Sequence, residues 1–540
     1  MECGNLHNDF DTLFINGRIY TLKEEGDTAE AMGIRDGRIV FTGSNPDSED
    51  FSAAEIIDLE GKAVIPGMGD SHLHLYAYCQ NQTSVKLDDV RSIDELIQRM
   101  KLKAATVEKG KWIKGAGFDQ TKYPENRIPT RWDLDRISTE HPIVIRRCCL
   151  HVMAANSLAI ETARVTRDMV RRAGGLIEVD GNGEMTGIFQ ESSTSVFDDI
   201  VPDPLSDEQE KKRIILEVFD DMASKGITAI HTYAAKIWNY EENIGAYRAL
   251  EKEGRLPVRV VVSLDELFEK DSKGKQDKNP YDKVKYGSYK IFTDGSLGAR
   301  SAALMEPYSD DVNNLGISIS QEKLISDLLS ANKKGLQPAI HAIGDQALEI
   351  TLDAIEAVLP GMSAEQLPIR IIHAQLVHAD QLKRLRKLPV VLDVQPVFLC
   401  TDLHWIESRL GKERIRDAYI WKTLMESRLV LAGGSDCPVE SYDPIKGIYA
   451  AVTRQDQDGY PEGGWQPSER LSVFEAVCLF TKNIAYTTGD QDVLGTLEKN
   501  KFADFAVLDQ DPFLIEPEKI KDIKVLKTFV AGKQVYSRQI

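Results

Sequence analysis

Apolar and polar positions are spaced differently at the ends of this chain and in its middle. In the first 60 residues, DTLFINGRIYTL and EAMGIRDGRIVFTGS are short β-branched or aromatic runs broken by Asn-Gly and Asp-Gly turn signals. The last 45 residues follow the same style. FADFAVLDQDP and KVLKTFVAGKQVYS read as strands, with a turn at Ala531-Gly532. Two strand-rich ends predict one small β-domain built from both termini, residues 1–62 and 490–540.

Between them, short apolar runs alternate with helical stretches, the pattern of a parallel α/β sheet. Nine runs read as buried strands: AVIPGMG (63–69), IVIRR (143–147), ITAIHTYA (227–234), VRVVVSL (258–264), YKIFTDG (289–295), LQPAIHA (336–342), IRIIHAQ (369–375), VVLDVQP (390–396) and LVLAGGSD (429–436). A (β/α)8 TIM barrel takes eight. IVIRR is the surplus one, because it lies within about 150 residues that separate AVIPGMG from ITAIHTYA. That is far more than one βα unit uses. Residues 76–210 therefore read as an inserted α+β subdomain after strand 1, with the barrel in 63–75 and 211–489. The insertion holds a helical stretch, IDELIQRMKLKAATVEKG, and a β-type segment, GGLIEVDGNGEMTG. The polar stretch KDSKGKQDKNPYDK (270–283) reads as a solvated loop between strands 3 and 4.

Composition narrows the function classes. At 540 residues and 42% hydrophobic, the chain has enough for a large barrel with a second domain. Its net charge of −19, with no basic run, lacks the electrostatic footprint of a nucleic-acid binder. No apolar run approaches the ~20 residues that span a bilayer. The acidic start MECGNLHNDFDTLF has no apolar signal-peptide core. Seven scattered cysteines without a CxxC pair suggest neither a disulfide framework nor a thiolate zinc knuckle. A reducing, cytoplasmic setting without a membrane partner is the expectation; oligomeric state is not readable from the sequence, and a homodimer is only the common state among soluble proteins.

Barrel enzymes carry their chemistry at the C-terminal ends of the strands. His72 and His74 follow strand 1, in IPGMGDSHLHL. Lys290 lies in strand 4, His341 ends strand 5, His373 ends strand 6 and Asp436 ends strand 8. Each has an ordinary reading alone: a hydrogen-bonded histidine, a helix-capping aspartate, a lysine pointing outward. Together on one rim they predict a metal site. Imidazole and carboxylate suit zinc and similar divalent ions. His72 and His74, two apart on an extended segment, share a face and can ligate one ion. Addition of CO₂ to the Lys290 amine gives a carbamate, an anion able to bridge two metals. Two ions about 3.5–4 Å apart hold a hydroxide between them at neutral pH. Asp436 then takes the proton and passes it to a leaving nitrogen. A one-metal site using His72, His74, His341 or His373, and Asp436 is the alternative, with Lys290 a neutral neighbour or hydrogen-bond donor.

The order of these residues, HxH on strand 1, Lys on 4, His on 5, His on 6 and Asp on 8, resembles the amidohydrolase superfamily. PGMGDSHLHL, GFDQTKYP, RRCCLHVMAANS, YKIFTDGSLGARSAAL, IHAIGDQAL, HAQLV, LDVQP, GGSDCPV and GTLEKNKFADFAVLD are similar to one branch, the YtcJ-like amidohydrolases (amidohydrolase family 3), whose members include N-substituted formamide deformylases. The resemblance runs from residue 14 to about 536. It implies that the terminal domain is a composite, urease-like β-sandwich and that the insertion contributes to the substrate pocket. It maps an Arg-x-x-x-His pattern onto Arg147 and His151 as substrate contacts, with an ion pair inside the insertion as the plain alternative. The loop Gly295–Gly298 with Arg300 is expected over the metals, placing Arg300 among the substrate-binding candidates. Leu150 departs from the family's usual glycine, and Cys148 and Cys149 add two thiols there. His231, His378, His404 and Asp402 are candidates to surround the pocket, whereas His7 and His141 read as structural or exposed. Trp112, Phe118, Tyr123 and Trp132 permit an apolar substrate or form the insertion's core. The implied function is a metal-dependent hydrolase that cleaves a non-peptide or N-acyl amide C–N bond of a small molecule by attack of metal-bound hydroxide. Deamination of a ring amine and a non-catalytic barrel are the alternatives.

Overall fold

The computed structural model describes residues 9–46, 52–148, 151–166, 169, 175–197, 200–235, 240–266, 282–362 and 366–539. His7, Cys149, Leu150 and the loop residues 270–281 lie outside them. The chain folds as two units. One holds Met1–Leu73, Leu216–Asp436 and Ser441–Ile540; the other holds His74–Ile215 with Cys437–Glu440.

The larger unit contains an eight-stranded parallel sheet curled into a nearly closed barrel. Its strands are β1 (Met68–Leu73), β2 (Ile227–Ala234), β3 (Arg259–Leu264), β4 (Val284–Phe292), β5 (Pro338–Ala342), β6 (Ile369–His373), β7 (Val390–Val394) and β8 (Val430–Gly433). Each pairs in parallel with the next from β1 to β8. β1, β3, β5, β6 and β7 are buried at every position, as expected where both sheet faces are covered. Side-chain caps start the flanking helices: Ser320 accepts from Lys323 N, Asp443 from Ile445 N and Ser472 from Glu475 N.

The seam between β8 and β1 is closed without a ladder. Asp70 accepts from the His72 amide (3.0 Å), the Ser435 amide (3.1 Å) and the Ser435 hydroxyl. The Asp436 amide donates to His72 O at 2.8 Å. Gly434 permits this approach, because a Cβ there would lie 2.9 Å from the His72 nitrogen. Burial pushes the Asp70 carboxyl up to about 7, against the hydrogen bonds from Ser435 and the His72 amide.

One expected strand is in fact two. Ala63–Pro66 pairs with Phe505–Leu508 and Arg18–Tyr20 in a six-stranded sheet that takes strands from both ends of the chain, and the barrel strand starts only at Met68. Gly67 stands at the switch. Its amide bonds Asp504 O at 2.8 Å, and a Cβ would run into the Thr228 side chain. A four-stranded sheet, Phe10–Ile15, Ala31–Arg35, Arg38–Gly43 and Ala53–Asp58, completes this part. Phe14 packs edge-on against Phe505 and Phe529, 5.1 and 5.2 Å between centroids, within a core drawn from both chain ends.

The smaller unit has its own six-stranded sheet. IVIRR (Ile143–Arg147) lies here, parallel to Ile113–Phe118 and antiparallel to Val152–Ala155. Helix Ile93–Ala104 lays Leu96, Ile97 and Met100 on its core, which also holds Phe118 and Tyr123. Among the described residues, no helix is long and apolar enough to cross a membrane.

Candidate metal centre

The inward-facing side chains at the C-terminal mouth of the barrel come from β1, β4, β5, β6 and the segment after β8. One donor atom each of His72, His74 and Asp436 lies within 4.8 Å of the other two. The His341 and His373 rings stand 4.5 Å apart, and His373 is 5.9 Å from His72. Lys290 Nζ donates to His72 Nε2 at 3.1 Å. Three of the six sequence candidates for metal ligation, His72, His74 and Asp436, bring donor atoms together; Lys290 and His373 stand beside His72, and His341 beside His373. Five are almost fully buried, at 2–8% exposure, while His74 is half-buried.

Backbone and hydrogen bonds aim these groups. His373 and Asp436 adopt left-handed φ of 79° and 55°, a conformation uncommon outside glycine and concentrated at functional sites. The His373 Nδ1 lies 2.8 Å from Gln395 Oε1. The Gln395 amide nitrogen donates to Asp393 O at 3.0 Å, so its oxygen is the acceptor. His373 therefore carries its proton on Nδ1 and keeps the lone pair on Nε2. His341 is the reverse. Its Nε2 faces Gly295 O at 3.0 Å, an atom that only accepts, so Nδ1 keeps the lone pair. Asp294, 3.3 Å from the same nitrogen, also accepts from Ala303, Ile343 and Gly344 amides and anchors the loop after β4 to the start of helix Asp345–Val358, which follows β5.

Electrostatics suit a cation. Burial holds His373 well below the usual imidazole value, hence neutral, and pushes the Lys290 amine down to about 7. His72 Nε2 accepts from Lys290 and stands 3.4 Å from Asp436 Oδ1, another acceptor. Two acceptors facing each other in a buried mouth, beside the His341 and His373 imidazoles, form a donor set that fits a divalent ion. Beneath it, Arg370 is sealed at 1% exposure, with Nε 2.8 Å from Asp393 Oδ2 and Nη2 on Ser71 O.

The other candidates are engaged elsewhere. Buried Arg147 pairs with Asp119 (3.1 Å) and Gln120 (2.8 Å). Arg300 pairs with Asp310 at 2.9 Å. His151 is half-buried, just before Val152–Ala155. His231 is buried near the Thr487 hydroxyl and kept neutral by desolvation. His378 bridges Asp345 and Asp417, His404 pairs with Asp456, Asp402 accepts from Tyr419, and His141 meets Ser138. Gln395, Asp294 and Arg370 are not among the sequence candidates: Asp294 lies four residues after Lys290, Arg370 three before His373, and β7, which Gln395 follows, carries no candidate ligand.

Comparison with known proteins follows the same lines. The Amidohydrolase family profile matches residues 55–536. The amidohydrolase-family protein YtcJ of Bacillus subtilis (strain 168) is 33% identical over 97% of this chain and 99% of its own. An N-substituted formamide deformylase of Arthrobacter pascens is 25% identical over 98% of each. The crystal structure of an uncharacterized metal-dependent hydrolase from Pyrococcus horikoshii superposes with a TM-score of 0.73 at 31% identity, covering 94% of this chain and 99% of the other.

Proposed function

The chain belongs to the amidohydrolase family, and from that premise we propose that it hydrolyses an amide C–N bond other than a peptide bond, with Asp436 moving the proton. The observation that carries this reading is the convergence of His72, His74 and Asp436 donor atoms beside His341 and His373. His72, His74, His341, His373 and Asp436 would hold the ion, with Lys290 at its side. A divalent cation there, zinc by the nitrogen-rich donor set, supplies Lewis acidity for the scissile carbonyl and brings the pKa of water to about 7. Gln395 and Gly295 O fix the two imidazole tautomers so that each presents a lone pair. Asp436 accepts the proton of the attacking water on its carboxylate and delivers it to the departing nitrogen. The C–N bond breaks, leaving a carboxylate and an amine. The deformylase among the relatives, by its name, acts on an amide, which supports the N-acyl class.

Lys290 decides the number of ions. As an amine it donates to His72 Nε2, which fits one ion. Reaction with CO₂, releasing one proton, turns it into a carbamate anion that fits two. Metal counted per chain, together with density beyond Nζ in a crystal map, separates the two. For the substrate's polar end the candidates are Arg147, His151 and Arg300. Arg147 and Arg300 would have to leave Asp119 and Asp310 to serve.

The test is a panel of N-formyl, N-acetyl and N-acyl amino-acid amides on metal-reconstituted protein, scored for carboxylate and amine. Asp436→Asn is expected to lower kcat by about 10²–10⁴ while bound metal stays measurable. Unchanged turnover in that variant, or full activity in metal-free protein, defeats the mechanism. Ammonia released from a ring amine in place of amide cleavage moves the activity to the deaminase class.

A further inference from the structure

One wall of the barrel mouth is apolar, and the hydrolytic chemistry makes no use of it. Phe292 closes β4, two residues after Lys290, and stands beside His341 in the parallel pairing. By strand alternation its side chain shares the inward face with both. Its ring lies 5.4 Å from the His341 ring and 5.6 Å, edge-on, from Tyr233, and Lys290 Nζ is 4.9 Å from its centroid. Tyr233 is itself fixed, its hydroxyl donating to Asp265 at 3.0 Å. Yet Phe292 is 38% exposed, where Lys290 and His341 are 2% and 4%. A lone exposed apolar side chain on an outer surface needs no explanation. This one shares the inward face of the barrel with Lys290 and His341 and is held between Tyr233 and His341. Covering it removes apolar area from water. On the β6–β7 side, Phe398 stacks on His373, 6.2 Å between centroids and 22° from parallel, so the histidines stand between two aromatic rings.

We propose that Phe292 is a specificity-determining residue, and that the substrate carries a flat apolar substituent, an aryl or bulky alkyl group, beside the bond that is cleaved. This rests on the hydrolytic reading of the same site and names the substrate class within it. The competing role for Phe292 is a cover that keeps water from Lys290. A cover serves every substrate equally, whereas a substrate wall discriminates among them.

Three probes separate the roles: N-benzylacetamide, with the ring on the nitrogen side, N-methyl-2-phenylacetamide, with the ring on the carbonyl side, and N-methylacetamide as the small control. The full-length, metal-reconstituted protein is compared with Phe292→Ala and Phe292→Leu. In Phe292→Ala, kcat/KM for the better aryl amide relative to N-methylacetamide is expected to fall about 10–100-fold, and Phe292→Leu is expected to restore most of the preference. Equal losses on all three probes overturn the proposal and leave Phe292 as a cover. Binding of the two aryl amides to chelator-treated protein, followed by saturation-transfer NMR, gives a readout free of turnover. Weakening of about tenfold or more in Phe292→Ala supports the wall even if no probe is cleaved, in which case the hydrolytic reading fails by itself. Absence of any aryl preference in the unsubstituted protein, in binding and in turnover, overturns the wall even if N-methylacetamide is hydrolysed.

Discussion

Gln395 does at the residue scale what none of the candidate ligands does for itself. Its amide reads in one orientation, with nitrogen on Asp393 O and oxygen on His373 Nδ1, and that orientation writes the tautomer of His373. Replacing it by leucine keeps approximate volume and removes the acceptor. His373 is then free to turn or to protonate the other nitrogen, and metal affinity is expected to fall about 10–100-fold. Competition with a chromophoric chelator measures it. Gln395→Glu, which keeps an acceptor oxygen, should retain most of the affinity. Equal affinity in the leucine variant would show that His373 needs no such orientation. This residue was not legible in VVLDVQP, where a glutamine after a strand looks like any loop polar. The left-handed backbone at His373 and Asp436 was equally hidden, because neither carries the glycine that usually announces a positive φ.

Among elements, the boundary between Ala63–Pro66 and β1 shows how far periodicity reaches. AVIPGMG looks like one buried strand because every residue in it is apolar or glycine, yet its halves serve different sheets. The switch depends on Thr228 lying against Gly67, a contact made by a residue 161 positions later. Gly67→Ala places a methyl on that side chain and is expected to cost about 1–3 kcal/mol, read as a lower denaturant midpoint with an unchanged slope. Full stability would mean that the two backbones separate without strain. A second element-level prediction concerns helix Ala379–Leu385, whose N-cap His378 is held by Asp345 (2.7 Å) and Asp417 (2.9 Å). The hydrogen bond to Asp345, then that to Asp417, raises the imidazole from 6.5 to about 9 against desolvation. A histidine raised on folding stabilises fully below its unfolded value near 6.5 and loses that contribution as pH climbs through about 9. The shift corresponds to about 3 kcal/mol, reduced to on the order of 2 kcal/mol because the side chain is 30% exposed. The stability gap between the unsubstituted protein and His378→Asn should therefore be widest below pH 6.5, shrink between pH 6.5 and 9, and be gone above pH 9. A gap that is flat with pH would contradict the ion-pair origin.

For the whole molecule, eight buried parallel strands were legible because each is a short apolar run with turn residues after it, and parallel sheets bury both faces. Six chemistry-bearing side chains were legible because barrel topology sends strand ends to one mouth. What could not be read was their mutual geometry, which depends on Asp70 and Ser435 closing the seam and on Arg370–Asp393 filling the space below. That geometry has a thermodynamic consequence. Lone pairs of His72, Asp436, His341 and His373, together with a lysine pushed down to about 7, are assembled at a desolvation cost. An ion bound to the folded mouth and not to the unfolded chain adds stability by mass action, about 2.7 kcal/mol at a free concentration a hundred times Kd. Stripping with a chelator is therefore expected to lower the unfolding temperature, and adding zinc back to restore it in a concentration-dependent way. His72→Ala, which removes the imidazole shared by Lys290 and Asp436, should make stripped and zinc-treated protein unfold together. If the unsubstituted protein also unfolds at one temperature in both states, the converging donors do not hold an ion in the folded chain, whatever their spacing.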